Sequence, residues 1–266
     1  MNKITLVINT LNEEDNIAAC INSAKSIADK IIICDMYSED NTVKIAESLG
    51  AKIVFHERTG FVEPARRFAI SKASHEWVLV LDADEQLTDK LAAELKKIAQ
   101  SDSADLVLFA SLYNYFGKYI KHGGFFNNNW PRFFKKAKYL QVYTKDEELL
   151  HRNFYNLRNK VERQIKLSED YYIIHEAYPT FEKFLRKGLC NYTLIESQGR
   201  YSKGERVTFT KACLVPITEF LVRYIIWQGF RDGKIGLILC YLKAQHTFYT
   251  LLNIWFLNRN KDKKTG

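Results

Sequence analysis

Short, unbroken apolar runs alternate with amphipathic stretches over the first hundred residues. Ile4 to Asn9, Ile31 to Asp35, Ile53 to His56 and Trp77 to Asp82 have the length and composition of strands buried on both faces. Between them Ile17, Ile21 and Ala24 form one helical stripe, and Val43, Ile45 and Leu49 form another. Val62 to Ala73 makes a third helical connection, carrying Arg66 and Arg67, and a further helix begins near Thr88. Gly50 falls where the second helix must stop. This alternation predicts an α/β fold, a mostly parallel sheet with crossover helices.

Beyond Asp105 the pattern changes. Asp105 to Phe116 reads as a long aromatic strand and Tyr171 to His175 as a short one. Gly117 to Lys138 mixes glycine, asparagine, aromatics and basic residues, and is expected to be a loop-rich substrate region. Pro179 to Ser197 predicts a helix, and Glu205 to Asn258 two more, broken near Gly229 to Gly236. Those last helices are apolar and aromatic, but Arg223, Arg231, Lys234 and Lys243 interrupt them. No stretch offers the roughly 20 consecutive apolar residues that a bilayer crossing needs. They are expected to lie in a membrane interface, or to pack as a helical subdomain or dimer contact.

Composition and charge narrow the class. With 47% hydrophobic residues in 266, the chain buries a substantial core. The five cysteines (20, 34, 190, 213 and 240) are scattered without Cys-x-x-Cys spacing, as in a reduced cytosolic protein with no zinc site. The amino terminus runs directly into a strand, so no secretory leader is expected. The net charge of +8 is unevenly placed. Twelve Lys/Arg face four Asp/Glu from Arg200 onward, which leaves twenty-seven of each before it. A neutral body with a basic, aromatic tail points to a polyanionic partner surface. Anionic lipid is preferred over nucleic acid, because single-strand binders interleave aromatic and basic residues on strands.

Polar groups gather where three predicted strands end: Thr10, Asn12, Glu13 and Glu14 after the first, Asp35, Ser38, Asp40 and Thr42 after the second, and Asp82-Ala83-Asp84-Glu85 after the fourth. In open α/β sheets the carboxyl edge of the strands is where ligands bind. Two carboxylates one residue apart suit a hard divalent cation that also holds a diphosphate. Neither a Gly-x-Gly-x-x-Gly nor a Walker loop follows any strand, which argues against a dinucleotide oxidoreductase and a P-loop ATPase.

These stretches, with Gly60-Phe61, Ala65-Arg66 and Trp77 through Glu85, resemble the family 2 glycosyltransferases of the GT-A fold. Within them the chain is most similar to the lipopolysaccharide inner-core β-1,4-glucosyltransferases. That likeness rests on His122-Gly123-Gly124-Phe125-Phe126, Arg132-Phe133-Phe134-Lys135-Lys136, His175-Glu176 and Gly229-Phe230-Arg231-Asp232-Gly233 with Gly236. The resemblance implies a metal-dependent, inverting transfer of a sugar, glucose by the nearest likeness, from a UDP-sugar to a lipid-linked glycan. It implies a donor site of Thr10, Asn12, Glu13, Asp35, Arg66, Asp82, Ala83 and Asp84. In that site Asp35 would meet uracil, Asp82 ribose, and Asp84 the Mg2+ or Mn2+ ion, with Asp82 a second candidate metal ligand. His175 is a candidate further metal ligand, or else a satisfied structural histidine. The catalytic base is expected at Glu176, which ends a strand, with Glu85 as its rival. Arg132, His122 and Lys187 are candidate acceptor or phosphate contacts, and Arg132 reads equally as a surface strand charge.

The resemblance also sets boundaries and location. Residues 1–200 would form the transferase domain, divided near 105 into donor and acceptor halves, and 201–266 a helical, basic, aromatic-rich extension that associates with membrane or forms a homo-oligomer. The enzyme would work in the cytoplasm, peripheral to the inner face of a bacterial inner membrane. Two other functions fit the same residues, namely transfer to a polyprenyl phosphate and a non-catalytic membrane-docking protein.

Overall fold

The computed structural model describes residues 2–58, 62–142 and 152–265. They fall into two compact units. The first comprises Met1–Leu112 and Asn127–His175, the second Tyr113–Phe126 and Glu176–Gly266.

The first unit is built on β1 (Ile4–Thr10), α1 (Ile17–Ala24), β2 (Lys30–Asp35), α2 (Thr42–Ser48), β3 (Lys52–Phe55), α3 (Glu63–Ser71), β4 (Trp77–Asp82), β5 (Glu85–Leu87) and α4 (Asp89–Ser101). After these come β6 (Leu106–Tyr115), β7 (Lys118–Ile120), β8 (Asn127–Lys135), α5 (Lys136–Val142), α6 (Arg152–Lys160), β9 (Gln164–Lys166) and β10 (Tyr172–Tyr178), of which β7 belongs to the second unit. The sheet order is β3-β2-β1-β4-β8-β6-β10-β5, with β9 alongside β6. The first four strands are parallel, and β8 runs antiparallel to both β4 and β6.

Alternation along β1 and β4 explains why both faces are covered. Ile4, Leu6 and Ile8 join Trp77, Leu79 and Leu81 on the face closed by α1 and α4. Val7, Val78 and Val80 face the opposite way, onto Ala65, Ala69 and Ile70 of α3 and Leu157 of α6. Trp77 and Phe133 stack with centroids 4.5 Å apart, both fully buried, and so fix β8 beside β4. In register, Thr10 lies beside Asp35 and Asn9 beside Asp82, so the polar ends of β1, β2 and β4 share one edge.

The four expected parallel strands are present. The segment expected to be loop-rich is not a loop throughout, since Asn127–Lys135 is a nine-residue strand in the middle of the sheet. Its asparagines and Pro131 hide the apolar pattern, and Pro131 sits where the β6 pairing shifts register. The short strand β5 was likewise not expected.

The second unit holds the outer ends of β6 and β10, β7, and a helical region. Its helices are α7 (Phe181–Lys183), α8 (Tyr192–Ser202), α9 (Phe209–Leu221) and α10 (Gly233–Thr265). Phe184–Asn191 is π-helical and joins α7 to α8, and Val222–Ile226 continues α9 in the same form. The units do not divide at residue 200. The breaks fall at Leu112/Tyr113 inside β6, at Phe126/Asn127 where β8 begins, and at His175/Glu176 inside β10, because the far ends of β6 and β10 pack with β7 and each other: Tyr113 pairs with Ile120, and Tyr115 stacks on Tyr178 at 5.6 Å. No helix among the described residues is long and apolar enough to cross a membrane.

The buried stack predicts a cost for removing it. Phe133→Ala should destabilise the protein by about 3–5 kcal/mol, read as a lowered urea midpoint. An unchanged midpoint would show that the Trp77–Phe133 contact does not secure β8.

Candidate active site

The site is the turn from β4 into β5. Asp82 ends β4 with its side chain 26% exposed, and it is held by two guanidiniums. Arg66 Nη2 donates to its Oδ1 at 2.5 Å and Arg132 Nη2 to its Oδ2 at 2.8 Å. Both arginine side chains are only 3% exposed. Phe154 of α6 lies against both, with its ring centroid 5.2 Å from Arg66 Cζ and 5.1 Å from Arg132 Cζ. Burial works against the charge on Asp82, but Arg132 and Arg66 outweigh it and hold the carboxyl well below the usual range.

The turn folds back on itself. The Asp82 N–H donates to Glu85 Oε2 at 2.8 Å, which draws Glu85 inward until it is fully buried. Burial then pushes the Glu85 carboxyl above its ordinary value against the opposing charge of Arg132. In the β5–β10 register Glu85 pairs with His175. His175 Nδ1 lies 3.5 Å from Glu85 Oε1, and Nε2 lies 3.4 Å from Asp84 Oδ1. Burial disfavours the imidazolium, yet the hydrogen bond to Asp84 and the charges of Glu85, Asp84 and Asp82 raise the His175 pKa above its usual value. Cys20 lies under the turn, its Sγ donating to the Asp82 carbonyl at 3.4 Å. Burial and the surrounding carboxylates push its thiol far up, so it stays neutral.

The loops after β1 and β2 are laced to each other. Asn12 (φ 54°) donates its N–H to Ser38 Oγ at 2.9 Å and receives the Glu39 N–H on Oδ1 at 2.8 Å. The Glu13 N–H donates to Thr42 Oγ1, and the Glu14 N–H to Asp40 Oδ2. Asp35 is completely buried. It accepts from Thr10 Oγ1, Ser38 Oγ and the Ser38 N–H. These residues were expected to touch a nucleotide directly. In the structure Asp35, Thr10 and the Asn12 side chain hold the rim, since backbone amides of turning loops need acceptors.

Other expected site residues have partners of their own. Arg132 is not a surface charge, being buried on Asp82. Glu85, the rival base, has one oxygen on the Asp82 amide and none exposed. Glu176 neighbours His175 on β10, and successive strand side chains project to opposite faces. Its carboxylate belongs to the second unit, accepting from Asn114 Nδ2 at 2.7 Å and the Tyr119 hydroxyl at 3.1 Å. His122, in the same unit, donates its N–H to Asp232 Oδ2 at 2.8 Å, with Nδ1 3.2 Å from Oδ1. Ala83 is buried in the turn. Gly60, Phe61 and the Lys187 side chain lie outside the described residues. Phe154 was not expected, because nothing in the spacing of α6 connects it to the Asp-x-Asp.

Among the described residues no three carboxylate, imidazole or thiol groups could hold an ion unaided. A site completed by a ligand needs fewer. Asp84 Oδ1 and His175 Nε2 at 3.4 Å are near the roughly 3 Å edge of an octahedron with bonds of about 2.1 Å. A carboxylate with an imidazole suits Mn2+ or Mg2+ when phosphate oxygens fill other positions. The buried Asn9 amide, in register with Asp82, has neither polar atom hydrogen-bonded within the described structure, an unmet polar demand at the same edge. The residues present therefore fit a cation shared with an anionic ligand.

The sequence profile of glycosyl transferase family 2 matches residues 5–165. An uncharacterized glycosyltransferase of Rickettsia typhi is 44% identical over 108 residues, covering 41% of this chain and 37% of that protein. The glycosyltransferase SunS of Bacillus subtilis is 31% identical over 99 residues, 36% of this chain and 24% of its own. The chain thus spans little more than a third of the Rickettsia relative's length. The structure of S. aureus TarS 1-349 in complex with UDP-GlcNAc superposes with a TM-score of 0.56 at 17% identity, covering 94% of this chain and 81% of that one. The expected GT-A fold with a helical carboxy-terminal region is thereby shown.

The raised His175 pKa carries a sign. Its stabilisation is complete below the unfolded value of about 6.5 and is lost as pH rises through the higher folded value. Stability should therefore fall with pH in that window, no more steeply than about 1.4 kcal/mol per pH unit. His175→Gln should remove that component, measured as urea midpoints across pH. Identical pH profiles for both proteins would refute the imidazolium–carboxylate contact.

Proposed function

The chain belongs to glycosyl transferase family 2, and we propose that it moves a sugar, glucose by the resemblance of its motifs, from a UDP-sugar to a lipid-linked glycan such as a lipopolysaccharide inner core, with inversion at the transferred carbon. The observation that carries this reading is the meeting of Asp84 and His175 beside Asp82 at the strand edge. That a related fold has been seen with UDP-GlcNAc supports a nucleotide-sugar donor.

A divalent cation held there would neutralise charge developing on the departing diphosphate. Asp84 and His175 are the residues to hold it, and His175 must give up its proton to do so. Asp82, fixed by two arginines, would accept from donor hydroxyls while staying ionised. Arg66 and Arg132 add fixed positive charge behind the carboxylate, in a setting where water screens little. The loops pinned by Asp35, Thr10 and Asn12 frame the rim against which a base would lie. Location at the inner face of a bacterial membrane follows from the lipid-linked acceptor.

The test is UDP release from UDP-glucose in the presence of a lipid-linked core acceptor. EDTA should abolish release and Mn2+ or Mg2+ restore it. Asp84→Ala should lower kcat/KM by roughly two to three orders of magnitude, the scale of a lost metal contribution. Full activity of Asp84→Ala would overturn the reading, whereas turnover confined to polyprenyl phosphate would replace only the acceptor.

A further inference from the structure

The second unit leaves apolar side chains uncovered where α9 turns into α10. Ile217, Leu221 and Ile225 recur every four residues along α9 and its π-helical continuation, so they share one face, and all are exposed. The π-helical turn ends at Ile226, which is 68% exposed, and Trp227 (48%) and Phe230 (51%) follow on the turn itself.

This tip is built rather than loose. The Trp227 N–H donates to the Val222 carbonyl at 2.8 Å, and the Trp227 carbonyl accepts the Gly123 N–H at 2.8 Å. Gly124 (φ 72°) lies flush against the indole, where a Cβ would fall 2.4 Å from the ring. The Arg223 guanidinium stacks on the indole at 5.1 Å, itself anchored by Glu219 at 2.9 Å and the Gly123 carbonyl at 2.9 Å. An aromatic residue so firmly held and still half open to water indicates a surface made to meet something.

Charge says what. From Val222 to Ile238 the only acidic residue is Asp232, which is buried and occupied by His122. The exposed charges of this stretch are Arg231 and Lys234, both positive. A second copy pairing tip to tip would bring these cations together, which disfavours a symmetric dimer here. An apolar, tryptophan-bearing tip with a cationic border matches the headgroup layer of an anionic bilayer, and no described helix is able to span one.

We propose that this tip is a membrane-docking surface, in which Ile226, Trp227 and Phe230 enter the interfacial layer and Arg231 and Lys234 meet lipid phosphates. The proposal deepens the reading above, resting on its lipid-linked acceptor, but it stands on separate residues and can fail separately.

The experiment is co-sedimentation of the full chain with phosphatidylcholine vesicles, with and without phosphatidylglycerol. Wild type should bind the mixed vesicles and largely release in high salt. Ile226→Asp should weaken binding about tenfold, and Arg231→Glu with Lys234→Glu about thirtyfold. Thermal shift by UDP with Mn2+ on the same samples should be unchanged, separating loss of docking from loss of donor binding or of folding. The proposal is overturned if wild type stays in the supernatant with both vesicles, or if Ile226→Asp sediments like wild type. It is also overturned if light scattering shows a dimer that Ile226→Asp dissolves while no vesicle is bound.

Discussion

The placement of Asp82 between Arg66 and Arg132 is the constraint on which the rest of the first unit depends. An ionised carboxylate at the end of a wholly apolar strand is costly unless it is paired and hydrogen-bonded. The two guanidiniums arrive from a crossover helix on one side and an antiparallel strand on the other, with Phe154 packed against both. One side chain therefore fastens α3 and β8 to β4. Were it removed, two buried cations would be left facing each other, so the integrity of the fold and the geometry of the site are the same requirement. The Asp82 amide carries the constraint onward by drawing in Glu85, and Glu85 in turn sets the level at which β10 delivers His175.

Much of this was legible in the chain and some was not, for physical reasons. The parallel strands could be read because burial on both faces removes polar interruptions, as in Trp77 to Leu81. β8 could not, since its first residues are asparagines and its middle is a proline, although Phe133 and Phe134 supply core to opposite faces. The Asp-x-Asp was legible as a local pattern. Its arginines were not, because they lie 16 and 50 residues away from Asp82 and only topology brings them together. Asp35 and Asn12 were legible as polar residues beside strand ends, but not their part in the loops. Turning loops consume acceptors, and here Asp35 and Asn12 supply them.

The second unit shows why a formal charge says less than its placement. Several of the basic residues from Arg200 onward are used internally. Arg200 binds Glu196 and Glu205, Arg223 binds Glu219, and Lys243 is buried enough that desolvation lowers its pKa despite nearby Glu196 and Glu219. What reaches solvent at the α9–α10 turn is a pair of cations beside an apolar tip. The +8 of the tail thus includes cations paired within the helical scaffold and a small basic border at this turn.

Within four consecutive residues, then, three carboxylates meet three different fates. Asp82 is kept ionised by two guanidiniums, Glu85 is pushed toward neutrality by burial, and Asp84 faces an imidazole whose pKa the hydrogen bond to Asp84 and the neighbouring carboxylates raise against burial. Only the third can trade its partner's proton for a cation without leaving a buried charge unpaired. In the proposed reaction the arginines therefore do more than brace the turn. Because they satisfy Asp82 in advance, Asp84 and His175 would be the residues to hold a cation, and Asp82 would meet the donor. A turn of alternating acids would become selective in this way through what each acid is already holding.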